Sequence, residues 1–235
     1  MKAKIKEKKE IAEGTLLVIF DLLGKEINFN PGQFFSLTLL NPFYTDEKGN
    51  QRYFSIVNCP EEKGILTIAT RVSESAFKKS LLAAPIETEV DIGIINGNFV
   101  LPDDKSYPLV FIAGGIGITP FISMLRHVEK ERLDYKITLI YSNRDQKSTS
   151  FLEELKKMTN DNPNLKLILT MTDDESWQDE KRRIDSQFIK DYFQRPNSCF
   201  YLVSGPPKMV EAISNSLSEV GVEQKNIKTD NFSGY

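Results

Sequence analysis

The sequence predicts two regions of different class: an antiparallel barrel or sandwich over residues 1–102, then an α/β region with a parallel sheet over 103–235. Three observations carry this. The first half holds many short apolar runs broken by turn residues, with little helical periodicity. In the second half, strand-like and helix-like runs alternate. Between them lies a polar segment bracketed by prolines, Leu101-Pro-Asp-Asp-Lys-Ser-Tyr-Pro108.

In the first half, Thr15–Leu23 and Gln33–Leu40 are rich in Leu, Val, Ile and Phe, and Asn30-Pro-Gly32 separates them as a turn. Further strands are expected at Arg52–Val57, Ile65–Thr70 and Thr88–Ile94. One helix interrupts them, with Ser75 as its cap and Ala76–Ala83 as its body. Within Arg52-Tyr53-Phe54-Ser55, strand alternation puts Arg52 and Phe54 on one face and Tyr53 and Ser55 on the other. An arginine offers paired donors to a phosphate and aromatics offer flat faces to a ring system. The same tetrapeptide also reads as a plain strand with an exposed arginine.

The second half opens with Leu109-Val-Phe-Ile-Ala113, a continuous apolar run suited to a strand buried on both faces. Gly114, Gly115 and Gly117 follow, then Thr119 and Pro120 at the start of a helix whose Phe121, Met124, Leu125 and Val128 recur at helical spacing. A strand, a glycine turn and a helix N-terminus form a seat for a phosphate or ribose, because free N–H groups point outward there. The third glycine of the dinucleotide fingerprint is replaced by Pro120, so a tight β–α turn without a ligand fits the residues as well. Three glycines and a proline argue against a membrane span over Leu109–Leu125.

Beyond that turn, strands are expected at Lys136–Tyr141, Leu165–Thr170, Cys199–Val203 and Asn226–Thr229. Helices are expected at Ser150–Met158, Asp185–Phe193 and Pro207–Val220. Such alternation gives a parallel sheet with ligands at the carboxyl ends of its strands. Gly114–Pro120, Tyr141-Ser142-Asn143-Arg144 and Ser204–Met209 all sit at such ends. There Ser142 and Arg144 would meet a dinucleotide's adenosine ribose. Arg144 suits the 2′-phosphate of NADPH, whereas Asp145 beside it opposes one, so the choice between NADPH and NADH stays open with a lean to NADPH.

The composition is that of an ordinary globular protein, 40% hydrophobic and 27% charged, and the net charge of −3 gives no reason to expect nucleic acid as a partner. The N-terminus, Met-Lys-Ala-Lys-Ile-Lys-Glu-Lys-Lys-Glu, lacks the apolar core of a signal peptide, so a cytoplasmic location is expected. Cys59 and Cys199 are too few for an iron–sulfur cluster, and with His127 the only histidine no metal site is expected. Both thiols read as buried small hydrophobes, and His127 as a solvent-facing or core-edge residue.

Taken in order, Pro31-Gly-Gln-Phe34, Arg52-Tyr-Phe-Ser55, Gly114-Gly-Ile-Gly-Ile-Thr-Pro120, Ser204-Gly-Pro-Pro-Lys-Met209 and Asp230-Asn-Phe232 resemble the ferredoxin–NADP reductase family over nearly the whole chain. The resemblance implies a flavin-binding antiparallel barrel followed by a parallel-sheet nicotinamide-dinucleotide domain. It implies that Arg52 binds a flavin phosphate, Phe54 packs on the flavin beside Tyr53, and Ser55 lies near the reactive N5. Thr70, Arg71 and Val72 then match the family's backbone clamp. Ser75, Ala76 and Phe77 match its pyrophosphate-binding helix start, which means FAD rather than FMN. Ser204 stands for a cysteine near the nicotinamide, within a turn that includes Gly205, Pro206 and Met209. Asp230 stands for a glutamate, and Phe232 or Tyr235 is a candidate to cover the flavin. Ser55, Ser204 and Asp230 are thus the expected catalytic residues.

The implied activity is a flavin-dependent NAD(P)H oxidoreductase, acting as a monomer or weak dimer. Its electrons would pass to a separate redox acceptor such as ferredoxin, flavodoxin, an oxygenase component or a small oxidant. The N-terminal lysines with Lys78-Lys79 offer a conceivable docking surface for an acidic acceptor, or simply a solvated face. Two other readings stand beside it: an electron-transfer subunit of a larger dehydrogenase, and a non-redox nucleotide-binding module. The last would have no use for Arg52–Ser55 or Ser75–Lys78.

Overall fold

A computed structural model describes residues 1–72 and 74–232. Two compact units make up the chain: Met1–Leu101 with Thr119–Lys130, and Pro102–Ile118 with the chain from Glu131 onward.

The first unit is a six-stranded antiparallel sheet. Its strands are β1 (Lys2–Ala12), β2 (Thr15–Asp21), β3 (Phe34–Leu39), β4 (Gln51–Ser55), β5 (Ile65–Arg71) and β6 (Glu89–Asn96), in the order β4-β3-β6-β1-β2-β5. The two edge strands meet just past β4, where the Val57 N–H donates to the Thr67 carbonyl at 2.9 Å, which makes the sheet barrel-like. Phe20, Phe35, Phe54 and Phe77 fill its interior with Leu, Ile and Val side chains.

Strand β1 corrects the reading of the N-terminus as mere charge. It pairs with both β2 and β6, because Ala3 and Ile5 alternate inward, fully buried, while the charged residues between them face out. Those charges are used locally. Lys4 pairs with Glu87 at 3.0 Å and Lys2 with Glu89 at 3.9 Å. Lys8 Nζ donates to the carbonyls of Leu82 at 2.6 Å and Ala84 at 2.5 Å, at the C-terminus of helix α1 (Ala76–Ala83). A cation there satisfies carbonyls the helix leaves open. Lys78 is buried and Lys79 pairs with Glu74, while Lys6 and Lys9 are exposed.

Helix α2 (Thr119–Lys130) belongs to the first unit. Ser123 Oγ donates to the Asn58 carbonyl at 2.7 Å, Phe121 packs edge-on against Phe99, and His127 Nδ1 lies 2.8 Å from Glu61 Oε1. His127 is therefore a core-edge residue held by an acid.

The second unit is a five-stranded parallel sheet of β7 (Leu109–Gly114), β8 (Ile137–Asn143), β9 (Leu165–Met171), β10 (Phe200–Gly205) and β11 (Ile227–Asn231). The order is β11-β10-β7-β8-β9, so the winding reverses between β7 and β10. Helices α3 (Leu152–Asp161), α4 (Ser186–Tyr192) and α5 (Pro207–Glu219) connect the strands. Each residue of β7 is buried, as expected of a central parallel strand. Asp185 caps α4 by accepting the Phe188 N–H at 2.8 Å.

Cys59 and Cys199 are buried free thiols. Burial and neighbouring Glu62 push the Cys59 thiol up to about 12, and burial raises Cys199 as well. Among the described residues no helix is long and apolar enough to cross a membrane, and no group of His, Cys, Asp and Glu could hold a metal ion.

Candidate nucleotide and flavin sites

In the first unit the expected site residues gather around the start of α1. Phe77, 1% exposed, anchors the helix in the barrel, a burial worth about 2–3 kcal/mol. The Phe54 ring lies 5.8 Å from that of Phe77, and the Arg52 guanidinium lies 5.3 Å from the Phe77 centroid. Strand alternation thus brings Arg52 and Phe54 to the same neighbour. Phe54 is buried in the process, so its ring is a wall of the core, while Tyr53 keeps 68% of its surface and packs edge-on against Phe34. Ser55 is buried at the end of β4, opposite Phe34 of β3.

Ser75 does not cap α1 with its side chain. The Asp46 carboxylate takes the Ala76 N–H instead, at 3.2 Å, and also pairs with Arg52 Nη2 at 3.4 Å. A carboxylate is the stronger acceptor beside an arginine and a helix N-terminus, and the β3–β4 loop delivers one there. Arg52 Nη1 donates to the carbonyls of Lys48, Gly49 and Gln51. Lys78, almost wholly buried, has its pKa lowered by burial and by the nearby Arg52 charge. Two cations and a helix N-terminus thus converge, a donor set that fits a phosphate or diphosphate.

The expected clamp on β5 is partly committed elsewhere. The Val72 N–H donates to Gly14 O at 2.9 Å, and Arg71 Nη1 donates to Glu13 O at 3.0 Å. Thr70 is buried, with its hydroxyl 3.4 Å from the Arg71 carbonyl.

In the second unit the glycine turn and the Ser204–Met209 turn are brought together at the carboxyl ends of β7 and β10, where the winding reverses. That is where parallel sheets take ligands. A short 3₁₀ turn covers Gly115–Ile118, and Thr119-Pro120 opens α2 directly after it. The glycines there serve different needs. A Cβ on Gly117 would lie 2.4 Å from the Ser204 carbonyl oxygen and 2.7 Å from Gly205 Cα, so two backbones touch. A Cβ on Gly114 would meet the Met209 sulfur at 2.0 Å, with Pro206 behind it. Gly115 has open space but a φ of +52°.

Ser204 pairs in register with Ala113 on one side and Asp230 on the other. Its buried hydroxyl has no hydrogen-bond partner among the described residues. Burial pushes the Asp230 carboxyl up to about 6. Phe232 follows, its N–H donating to Gly205 O at 3.0 Å. Tyr235 lies outside the described residues. Ser142 pairs with Gly114 across β7–β8. Arg144 is exposed, and its carbonyl accepts the Asp173 N–H at 2.8 Å, while the Asp174 carboxylate accepts the Gln146 N–H at 3.3 Å.

Two residues escaped sequence reasoning. Asp46 lies in a loop without periodicity and no sequence signal marks it. Asn143 sits on the flagged strand end, and neither polar atom of its buried amide has a partner among the described residues. An unpaired buried amide is costly, as is the Ser204 hydroxyl, and both fit a polar ligand at this edge.

Residues 111–215 match the oxidoreductase NAD-binding domain family. One component of the Na(+)-translocating NADH-quinone reductase of Idiomarina loihiensis is 28% identical over 200 residues, covering 78% of this chain and 49% of that protein. The chain spans about half the length of such relatives. The Amycolatopsis cytochrome P450 reductase superposes with a TM-score of 0.84 at 21% identity, over 99% of this chain and 70% of that one. A ferredoxin NADP+ reductase from Neisseria gonorrhoeae, solved with bound FAD and NADP, gives a TM-score of 0.81 at 19% identity over 98% of both chains.

Proposed function

We propose that this chain is a FAD- and NAD-binding oxidoreductase of the ferredoxin–NADP reductase type, which takes electrons from a reduced nicotinamide dinucleotide in its α/β unit. FAD in its barrel unit receives them, and a separate acceptor follows. The observation that carries the flavin half is the convergence of Arg52, Lys78 and the first N–H of α1 beside the Phe54–Phe77 pair.

FAD supplies an acceptor for the two electrons and proton of a reduced nicotinamide and can release electrons singly. The chain's own residues hold and orient. Arg52, Lys78 and the Ala76 N–H take the phosphates, and Tyr53 offers an exposed ring face to the isoalloxazine or ribityl chain. Thr70, Arg71 and Val72 line the same barrel edge through their backbone. Gly114, Gly115 and Gly117, with Gly205 and Pro206, present a turn with little side-chain bulk to the dinucleotide, and Gly117 lets the two turns pack backbone against backbone. The Ser204 hydroxyl and the Asn143 amide are donors awaiting polar partners. In this reading Ser55 orients the flavin ring in the barrel unit and Ser204 the nicotinamide ring in the α/β unit. Asp230 holds a proton below about pH 6 beside Ser204.

The preferred donor in this reading is NADH. Asp145, Asp173 and Asp174 surround the Arg144 loop, and carboxylates there oppose a 2′-phosphate. A kcat/KM higher for NADPH than for NADH would overturn that assignment. Use of NAD(P)H also fits a cytoplasmic location.

The acceptor is a ferredoxin- or flavodoxin-type protein, an oxygenase component or a small oxidant. A second reading, an electron-transfer subunit of a larger NADH dehydrogenase, is favoured by the NADH-quinone reductase relatives. Turnover of the isolated chain with soluble one-electron acceptors favours the first; flavin reduction without such turnover favours the second. The flavin assignment itself is tested by content. The purified protein should carry flavin or take up added FAD, and Arg52→Ala should lose at least about tenfold in affinity, the loss of a charged hydrogen-bond partner. An Arg52→Ala variant with unchanged FAD affinity would remove Arg52 from the phosphate site.

A further inference from the structure

We propose that Asp46 is a built-in anion that competes with the diphosphate of FAD for its seat, so that the β3–β4 loop sets how tightly the cofactor binds. The inference rests on the flavin reading above. Asp46 satisfies the two groups that reading assigns to the cofactor: its Oδ2 accepts the Ala76 N–H at 3.2 Å and its Oδ1 pairs with Arg52 Nη2 at 3.4 Å. Its loop is built to present it. Ser80, 1% exposed on α1, accepts the Tyr44 N–H at 2.8 Å and donates to the Tyr44 carbonyl at 3.0 Å. At the loop's far end, Asn50 Nδ2 donates to Leu39 O at 2.6 Å while the Leu39 N–H donates to Asn50 O at 2.9 Å. Asp46 lies between these anchors, and the Lys48 N–H donates to its Oδ1 at 2.9 Å.

The charge balance supports competition. Arg52 and Lys78 stand close enough for one to depress the other's pKa, and such a pair calls for an anion. One carboxylate partly meets that need. A diphosphate brings more negative charge and more acceptor oxygens, but it cannot share the Ala76 N–H with Asp46, because the two anions repel. Binding therefore exchanges one acceptor for another. The phosphate oxygens take Ala76 N–H and Arg52, and the Asp46 carboxylate turns out to water. Arg52 also leaves the carbonyls of Lys48, Gly49 and Gln51 that it now holds.

Asp46→Ser tests this directly, since serine keeps an oxygen for the Ala76 N–H but removes the charge. FAD affinity, read by quenching of flavin fluorescence, should tighten about fivefold relative to the wild type, the scale of a partly exposed ion pair. Asp46→Asn, nearly isosteric, should do the same and serves if the serine variant fails to fold. Asp46→Glu, which keeps the charge, should stay near the wild type. Unchanged or weaker FAD binding in both neutral variants overturns the proposal while leaving the flavin reading intact. Equal tightening in Asp46→Glu overturns it too, because charge would not be the cause. No FAD binding by wild type and variants alike overturns the flavin reading and this inference with it.

Discussion

Gly117 is constrained by backbone on its far side, and that distinguishes it from its two neighbours. The atoms a new Cβ would meet there, the Ser204 carbonyl and Gly205 Cα, cannot rotate away, whereas Met209 can move aside for Gly114. Gly117→Ala should cost about 1–3 kcal/mol by urea unfolding and weaken nicotinamide binding. Gly115→Ala, strained only by its φ, should cost about 1 kcal/mol. Asp230 offers a second residue-level test. Its pKa of about 6 lies above the ordinary 3.8, so the folded state holds the proton more tightly than the unfolded chain. That contribution is full below about pH 4 and is lost as the pH rises through 6. Across this window the wild type should lose up to about 2 kcal/mol relative to Asp230→Asn, which does not titrate. These residues were legible from sequence because glycine spacing and strand ends are local signals. Asp46 was not, since its role depends on a loop folding over a helix distant in sequence.

At the scale of elements, the loop between β3 and β4 is held to α1 by the Ser80 hydroxyl and by the Asp46 carboxylate. Ser80→Ala would leave the Tyr44 N–H and carbonyl without that partner, and should cost about 1–2 kcal/mol in thermal unfolding. Full wild-type stability in that variant would show the loop to be anchored elsewhere. Helix α1 was readable from Ala76–Ala83, but its cap was not, because Ser75 is a good cap by type and Asp46 reaches the same N–H. Strand β1 was hidden for another reason: lysines and glutamates crowd its outward face, while the small Ala3 and the single Ile5 carry the inward signal. In the second unit, apolar runs bounded by Gly, Pro and Asn matched strands and helices closely, since a sheet buried on both faces writes an unbroken apolar signature.

For the molecule as a whole, both thiols should resist a disulfide reagent at neutral pH until the protein unfolds, since each is buried with a raised pKa. Reaction in the native state would mean that the units open more readily than their packing implies. The central claim is that the chain carries electrons from nicotinamide to flavin. It is tested most directly by adding NADH, and separately NADPH, to the FAD-loaded protein under anaerobic conditions while following the visible spectrum. The account predicts bleaching of the flavin absorption, faster with NADH. A flavin spectrum that neither nucleotide bleaches would contradict it.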